Sequence, residues 1–104
     1  MDYYILVDKI PVKVAIKTWA EWMKKRENVI VKKTMIEGNE VSTVFLGLDH
    51  NFFRDEGSEP LLFETMIFGQ IEDETEYQIR CSTWEEAEKQ HEEAIRWVNE
   101  KINR

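Results

Sequence analysis

Two long apolar runs in the middle of the chain constrain its fold more than any other feature. Residues 41–48 and 61–69 are rich in the β-branched and aromatic side chains that fit a half-buried sheet. The polar connection between the runs carries a histidine, two adjacent phenylalanines and an arginine, which are His50, Phe52, Phe53 and Arg54. Because a rigid pair of strands can hold such a loop in place, the loop is a candidate functional site.

The spacing of apolar residues in the rest of the chain completes an α+β pattern. It predicts further strands at residues 3–7, 10–14, 29–36 and 77–81, and a helix at residues 15–26. Ser82 or Thr83 caps a final helix, because a glutamate three residues later gives the capping-box pattern. The predicted order is ββαββββα, a mostly antiparallel sheet of four to six strands with two amphipathic helices on one face. We expect these elements to form a single domain over residues 1–104.

Two local signals sharpen the prediction of the strands. Pro11 has no backbone N–H, so it is expected at an edge or at the start of its strand. The pair Gly38-Asn39 supplies the positive φ angles that a tight hairpin turn requires. The sequence therefore predicts a turn at residues 37–40, between two antiparallel strands.

Composition limits the kinds of function. The chain has 14 Lys and Arg against 21 Asp and Glu, and its net charge of −7 argues against general binding of nucleic acid. One cysteine suits a reducing cytoplasm, and no apolar stretch approaches the roughly 20 residues that cross a bilayer. The charge is uneven, because residues 9–33 are basic and residues 72–93 are acidic. The basic segment predicts a local cationic surface that can meet a small anion.

One group of residues has the chemistry of a metal or acid–base site. Imidazole and carboxylate groups are ordinary ligands of zinc and iron, and this chain offers Asp49, His50, Glu64 and His91. The chain has no H-x-x-x-H or H-E-x-x-H pair, and His91 falls on the apolar stripe of its helix. A metal-dependent hydrolase using His50, Glu64 and His91 is therefore the alternative hypothesis. The competing interpretation of His91 is a hydrogen-bonded histidine in the core.

A binding site without turnover is the leading interpretation. Arginine suits phosphates and carboxylates, and aromatic rings suit bases or apolar side chains. The candidate ligand-binding residues are His50, Phe52, Arg54, Glu64, Arg80, Trp84 and His91. Glu64 lies within an apolar strand, so its carboxylate is expected to need Arg80, His50, His91 or a backbone donor as a partner. This interpretation requires no cofactor.

Two further side chains have competing interpretations. Cys81 precedes the final helix, whose N-terminus lowers the pKa of a thiol, yet its face is shared with apolar residues that favour a buried cysteine. Trp97 points about 140° away from the apolar stripe of its helix, at about 100° per residue. An indole there predicts a second contact surface, either a homodimer interface or a position under the N-terminal hairpin. A structural or oligomeric role is thus a third hypothesis.

Three strings resemble a family of small uncharacterised proteins carried by bacteriophages and prophages. They are VSTVFLGLDH at residues 41–50, PLLFETMIFG at residues 60–69 and TWEEA at residues 83–87. In that family a further glycine usually follows the second string and the final helix often carries Gly-His. This chain has Gln70 and the pair Gln90-His91 at those places.

The resemblance implies a setting and no particular reaction. It implies the cytoplasm of a phage-infected bacterium and an accessory role such as interference with a host defence system. In that setting we expect a binding protein that sequesters a small anionic, nucleotide-like ligand or covers a host protein. No membrane partner is expected.

Overall fold

Six strands and three helices make up the part of the chain that the structure, a computed structural model, describes: residues 1–51, 57–71 and 77–103. In chain order they are β1 (Tyr3–Val7), β2 (Ile10–Val14), α1 (Ile16–Met23), α2 (Arg26–Val29), β3 (Ile30–Ile36), β4 (Asn39–Phe45), β5 (Phe63–Phe68), β6 (Gln78–Cys81) and α3 (Trp84–Ile102). The α+β class and the general order are confirmed. The strands form two antiparallel sheets rather than one, a β1-β2 hairpin and a sheet in the order β3-β4-β5-β6.

The β1-β2 hairpin closes through a two-residue turn without glycine. Val7 pairs with Ile10, so the turn consists of Asp8 and Lys9, whose φ angles are 50° and 69°. Both values lie in the left-handed region that this type of turn requires. In the described part of the chain β2 pairs with β1 alone, so Pro11 lies on an edge strand, as its missing N–H predicts.

The hairpin is joined to the larger sheet beyond the end of β4. The backbone N–H of Tyr4 donates to the carbonyl of Gly47 at 2.9 Å, and Tyr3 lies opposite Leu48. Gly47 has a φ of 76°, and a Cβ added there would lie 2.7 Å from Nε1 of Trp19. Glycine is therefore required at this junction, where α1 approaches the backbone closely.

The predicted helix at residues 15–26 is wrong at its C-terminal end. α1 ends at Met23, and Lys25 is extended, with a ψ of 113°, before the short α2 begins. The side chain of Asn28 donates to the carbonyl of Trp22 at 2.8 Å. This bond satisfies one of the carbonyls that a helix end leaves without an internal partner, so it favours the early end.

The β3-β4 turn is shifted by one residue from its prediction. Ile36 pairs with Asn39, and the two turn residues are Glu37 and Gly38, with φ angles of 45° and 82°. Asn39 instead begins β4 and is buried. Its Oδ1 accepts from the backbone N–H groups of Gln70 and Ile71, so it ties this turn to the segment after β5.

α3 lies across one face of the four-stranded sheet and contacts all four strands. Its capping box is present as predicted: Oγ1 of Thr83 accepts from the N–H of Glu86, whose side chain accepts from the N–H of Thr83. α1 packs against β1 rather than flat on the larger sheet, which corrects the predicted pair of helices on one sheet. It still reaches the same core, because Trp22 makes an edge contact with Phe45 at 5.6 Å between ring centroids.

Candidate functional site

His91 lies at the centre of a buried hydrogen-bond chain between α3 and the sheet. Its Nδ1 is 2.7 Å from Oγ1 of Thr43, and its Nε2 is 2.8 Å from Oγ1 of Thr34. Oγ1 of Thr43 is in turn 2.8 Å from Oγ1 of Thr65. The helix and three adjacent strands therefore share one set of polar contacts, and both ring nitrogens are occupied.

Burial keeps the imidazole of His91 neutral. Its side chain is fully buried, and this desolvation lowers its pKa below the ordinary value for histidine. The positive charge of Lys32 acts in the same direction, and the negative charge of Glu92 opposes it. A neutral, fully partnered ring matches the core-histidine interpretation.

Glu64 is held on the opposite face of the sheet. It pairs with Val44 and with Arg80, whereas Thr65 pairs with Thr43 on the face that α3 covers. Its Oε2 accepts from Nε of Arg80 and from Nε2 of Gln78, each at 2.8 Å. Of the expected partners the structure supplies Arg80, and it adds Gln78, which sequence analysis missed.

The residues of the hypothetical metal cluster do not converge. Thr65 pairs with Thr43, which contacts His91, and adjacent residues of a strand point to opposite faces. The sheet therefore separates Glu64 from His91. Across residues 1–51, 57–71 and 77–103 there is no group of three or more His, Cys, Asp or Glu that could hold a metal ion. Oδ1 of Asp49 instead accepts from the backbone N–H groups of Asn51 and Leu61, at 2.8 and 3.0 Å, and so fixes the two ends of the loop together.

The ends of the loop lie next to the start of α3, as the binding hypothesis requires. The N–H of His50 donates to the carbonyl of Leu61, and the N–H of Leu62 donates to the carbonyl of Cys81, three residues before Trp84. The predicted binding residues Phe52 and Arg54, with Phe53 between them, lie outside the described residues. The described part of the loop therefore brings His50 into this region without defining a complete pocket.

Trp84 is covered by the tip of the N-terminal hairpin. Its ring makes an edge contact with Phe63 at 6.3 Å, and Nζ of Lys9 lies 5.4 Å from its centroid. The expectation that the hairpin could cover Trp97 is therefore corrected, because the hairpin tip lies at the other end of α3. Trp97 packs against Tyr77 at 5.1 Å, with Nζ of Lys101 at 5.2 Å. Its role in an interface between copies stays a prediction.

Cys81 is a buried thiol rather than an activated one. Burial, together with the negative charge of Glu86, raises its pKa to about 11. A backbone hydrogen bond of Thr83 acts in the opposite direction and is outweighed. The predicted lowering of the thiol pKa by the helix N-terminus is therefore wrong, and the thiol stays protonated at neutral pH.

Sequence analysis missed an exposed apolar surface on the hairpin. Ile5 pairs with Val12 and Val7 with Ile10, so these four side chains share one side, here called the hairpin face. The exposed fractions are 49% for Val7, 63% for Ile10 and 40% for Val12. The opposite side of the hairpin packs into the core through Tyr4 and Leu6. The signal was present, because residues 3–7 are apolar at every position and thus have two apolar sides.

The predicted binding residues thus fall in separate environments. His91 lies on α3 and faces the sheet, Glu64 and Arg80 are on the other face of the sheet, and Trp84 and the backbone of His50 are near the start of α3. Among the described helices none has the length and apolar character needed to span a membrane. Comparison with protein-family models, with curated proteins and with solved structures gives no match to this chain.

Proposed function

We propose that the protein is a non-catalytic binding protein that covers the surface of a partner protein through its hairpin face. The observation that carries this proposal is the exposure of Val7, Ile10 and Val12 side by side. Burying an aliphatic side chain of this size contributes about 1.5–3 kcal/mol relative to leaving it in water. A contiguous group of such side chains is typical of a protein-interaction surface.

The partner packs on the side chains rather than adding a strand to the edge of the sheet. Strand addition needs a row of free backbone donors, and Pro11 interrupts that row on β2. Exposed Lys9 lies in the turn that joins Val7 to Ile10 and so borders the apolar side chains, whereas Lys13 pairs with Tyr4 and lies on the opposite side of the hairpin. A partner with an apolar patch and an acidic residue at its border has the complementary chemistry.

The resemblance to phage-encoded proteins supports a setting for this activity. It favours an accessory role in the cytoplasm of an infected bacterium, where covering a host protein blocks the action of that protein. The oligomeric alternative places a second copy of the chain on the same hairpin face. The hydrolase alternative gains no support from the geometry, because Glu64 and His91 are separated by the sheet.

Site-specific crosslinking tests the proposal. A photoreactive amino acid at position 10 of the full chain is compared with the same group at Met35, which is 66% exposed on β3. We expect position 10, and not position 35, to form an adduct with a different protein in bacteria. The double substitution Ile10→Ser and Val12→Ser should then weaken binding of the purified partner by about tenfold or more, measured by calorimetry.

Other outcomes contradict the proposal. Adducts formed only between copies of this chain would favour the oligomeric alternative. Equal adducts at positions 10 and 35 would mean that the hairpin face has no special role. If the folded double variant Ile10→Ser and Val12→Ser bound the partner with unchanged affinity, the partner would not contact these side chains and the proposal would fail.

A further inference from the structure

A groove on the surface of the two N-terminal helices has the features of a ligand site. It has a volume of about 620 Å³ and is here called the basic groove. Its lining residues are Lys17, Thr18, Glu21, Trp22, Lys25 and Asn28. Sites for small molecules commonly enclose about 300–1,000 Å³, so this groove is larger than an inorganic anion requires.

The charges of the basic groove favour an anion. Among the described residues Lys17 and Lys25 take part in no ion pair, so both ammonium groups are available. The carboxylate of Glu21 is paired with Nζ of Lys24 at 2.9 Å. A ligand therefore meets two uncompensated positive charges, and no unpaired carboxylate of the groove opposes it.

The C-terminal end of α1 repels an anion less than a helix end usually does. A helix C-terminus presents carbonyl groups that repel an anion. Here the side chain of Asn28 donates to the carbonyl of Trp22, which reduces that repulsion. This hydrogen bond thus moderates the least favourable electrostatic feature of the groove.

Trp22 gives the basic groove a rigid apolar wall. Trp22 lines the groove, and its partly buried indole is fixed by the edge contact with Phe45, at an interplanar angle of 88°. A fixed aromatic ring can contact a flat apolar group at little entropic cost. Lysines beside such a ring match a ligand that has both a phosphate and a planar ring.

We propose that the basic groove binds a small organic phosphate with a planar ring, which is the chemistry of a nucleotide. The phosphate contacts Lys17 and Lys25, the hydroxyl of Thr18 offers a neutral donor, and the ring lies against Trp22. This site is separate from the hairpin face, so it does not depend on the proposed partner protein.

Calorimetric titration of the full chain with three probes tests this site. The probes are a nucleoside monophosphate, the same nucleoside without phosphate, and inorganic phosphate. We expect the monophosphate to bind most tightly and its affinity to fall as the salt concentration rises. The double substitution Lys17→Ala and Lys25→Ala should weaken its binding by about tenfold or more.

The double substitution Lys13→Ala and Lys89→Ala is the matched control, because it removes the same charge outside the basic groove. All four lysines are exposed, so both variants should keep the thermal midpoint of the parent. Equal weakening in the two variants would assign binding to overall charge and overturn the site. Binding of inorganic phosphate or of the bare nucleoside as tightly as the monophosphate would also overturn it. So would the absence of monophosphate binding at millimolar concentration.

Discussion

Thr43 is the residue on which the buried hydrogen-bond chain depends, because its hydroxyl contacts both His91 and Thr65. Thr43→Val keeps the shape of the side chain and leaves Nδ1 of His91 without a partner in a fully buried place. We expect the free energy of unfolding to fall by about 1–3 kcal/mol, measured by urea denaturation. Thr34→Val is the control, because Thr34 is partly exposed and water can replace its hydroxyl. An equal or larger loss from Thr34→Val would contradict this account.

His91 should make stability depend on pH. Because burial lowers its pKa in the folded state, the unfolded chain binds the proton more readily. The stability from neutral His91 is complete above about pH 6.5 and is lost as the pH falls below that value. The loss reaches at most about 1.4 kcal/mol per pH unit.

The variant His91→Gln isolates this effect, because glutamine does not titrate. Between about pH 7 and about pH 5 its free energy of unfolding should fall less steeply than that of the parent chain. Urea denaturation at several pH values measures both slopes. Parallel slopes would show that other groups, such as carboxylates, cause the whole dependence.

Among the elements, the junction between α1 and the end of β4 has the tightest requirement. Gly47→Ala places a Cβ 2.7 Å from Nε1 of Trp19 and 2.9 Å from Sδ of Met23, at a φ of 76°. Gly57→Ala is the matched control, since its φ is 94° and its Cβ would meet nothing within 4 Å. We expect about 1 kcal/mol of destabilisation for Gly57→Ala and about 1–3 kcal/mol more for Gly47→Ala, measured by thermal or urea unfolding. Equal losses of stability in the two variants would mean that α1 shifts away from the added Cβ without a loss of free energy.

The elements also show which boundaries a sequence can predict. α3 begins at its capping box because Thr83 and Glu86 are local signals, and such signals are visible in the sequence. The end of α1 has no such signal, since Lys24, Lys25 and Arg26 all favour continued helix. It is set instead by the side chain of Asn28, which bonds six residues back.

For the whole molecule, the class and order of the elements could be predicted and the arrangement of the site could not. Strand alternation indicates that Glu64 and Thr65 point to opposite faces, but it does not say which face a helix covers. Because α3 covers the face that carries Thr65, the sheet lies between Glu64 and His91, and the predicted cluster does not form. The division into two sheets also depends on distant contacts, such as the bridge between Tyr3 and Leu48.

The hairpin is made early, but some of the residues that cover its inner side come late in the chain. Tyr4 and Leu6 belong to the same core cluster as Cys81 and Ala87. At about 5–20 residues per second, the interval between their synthesis is on the order of 4–16 seconds. Until those residues are made, part of the cover of the inner side is missing, so the nascent chain exposes apolar surface on both sides of the hairpin, which is the kind of surface that aggregates or binds chaperones. In the folded chain the inner side is buried in the core and the hairpin face stays exposed.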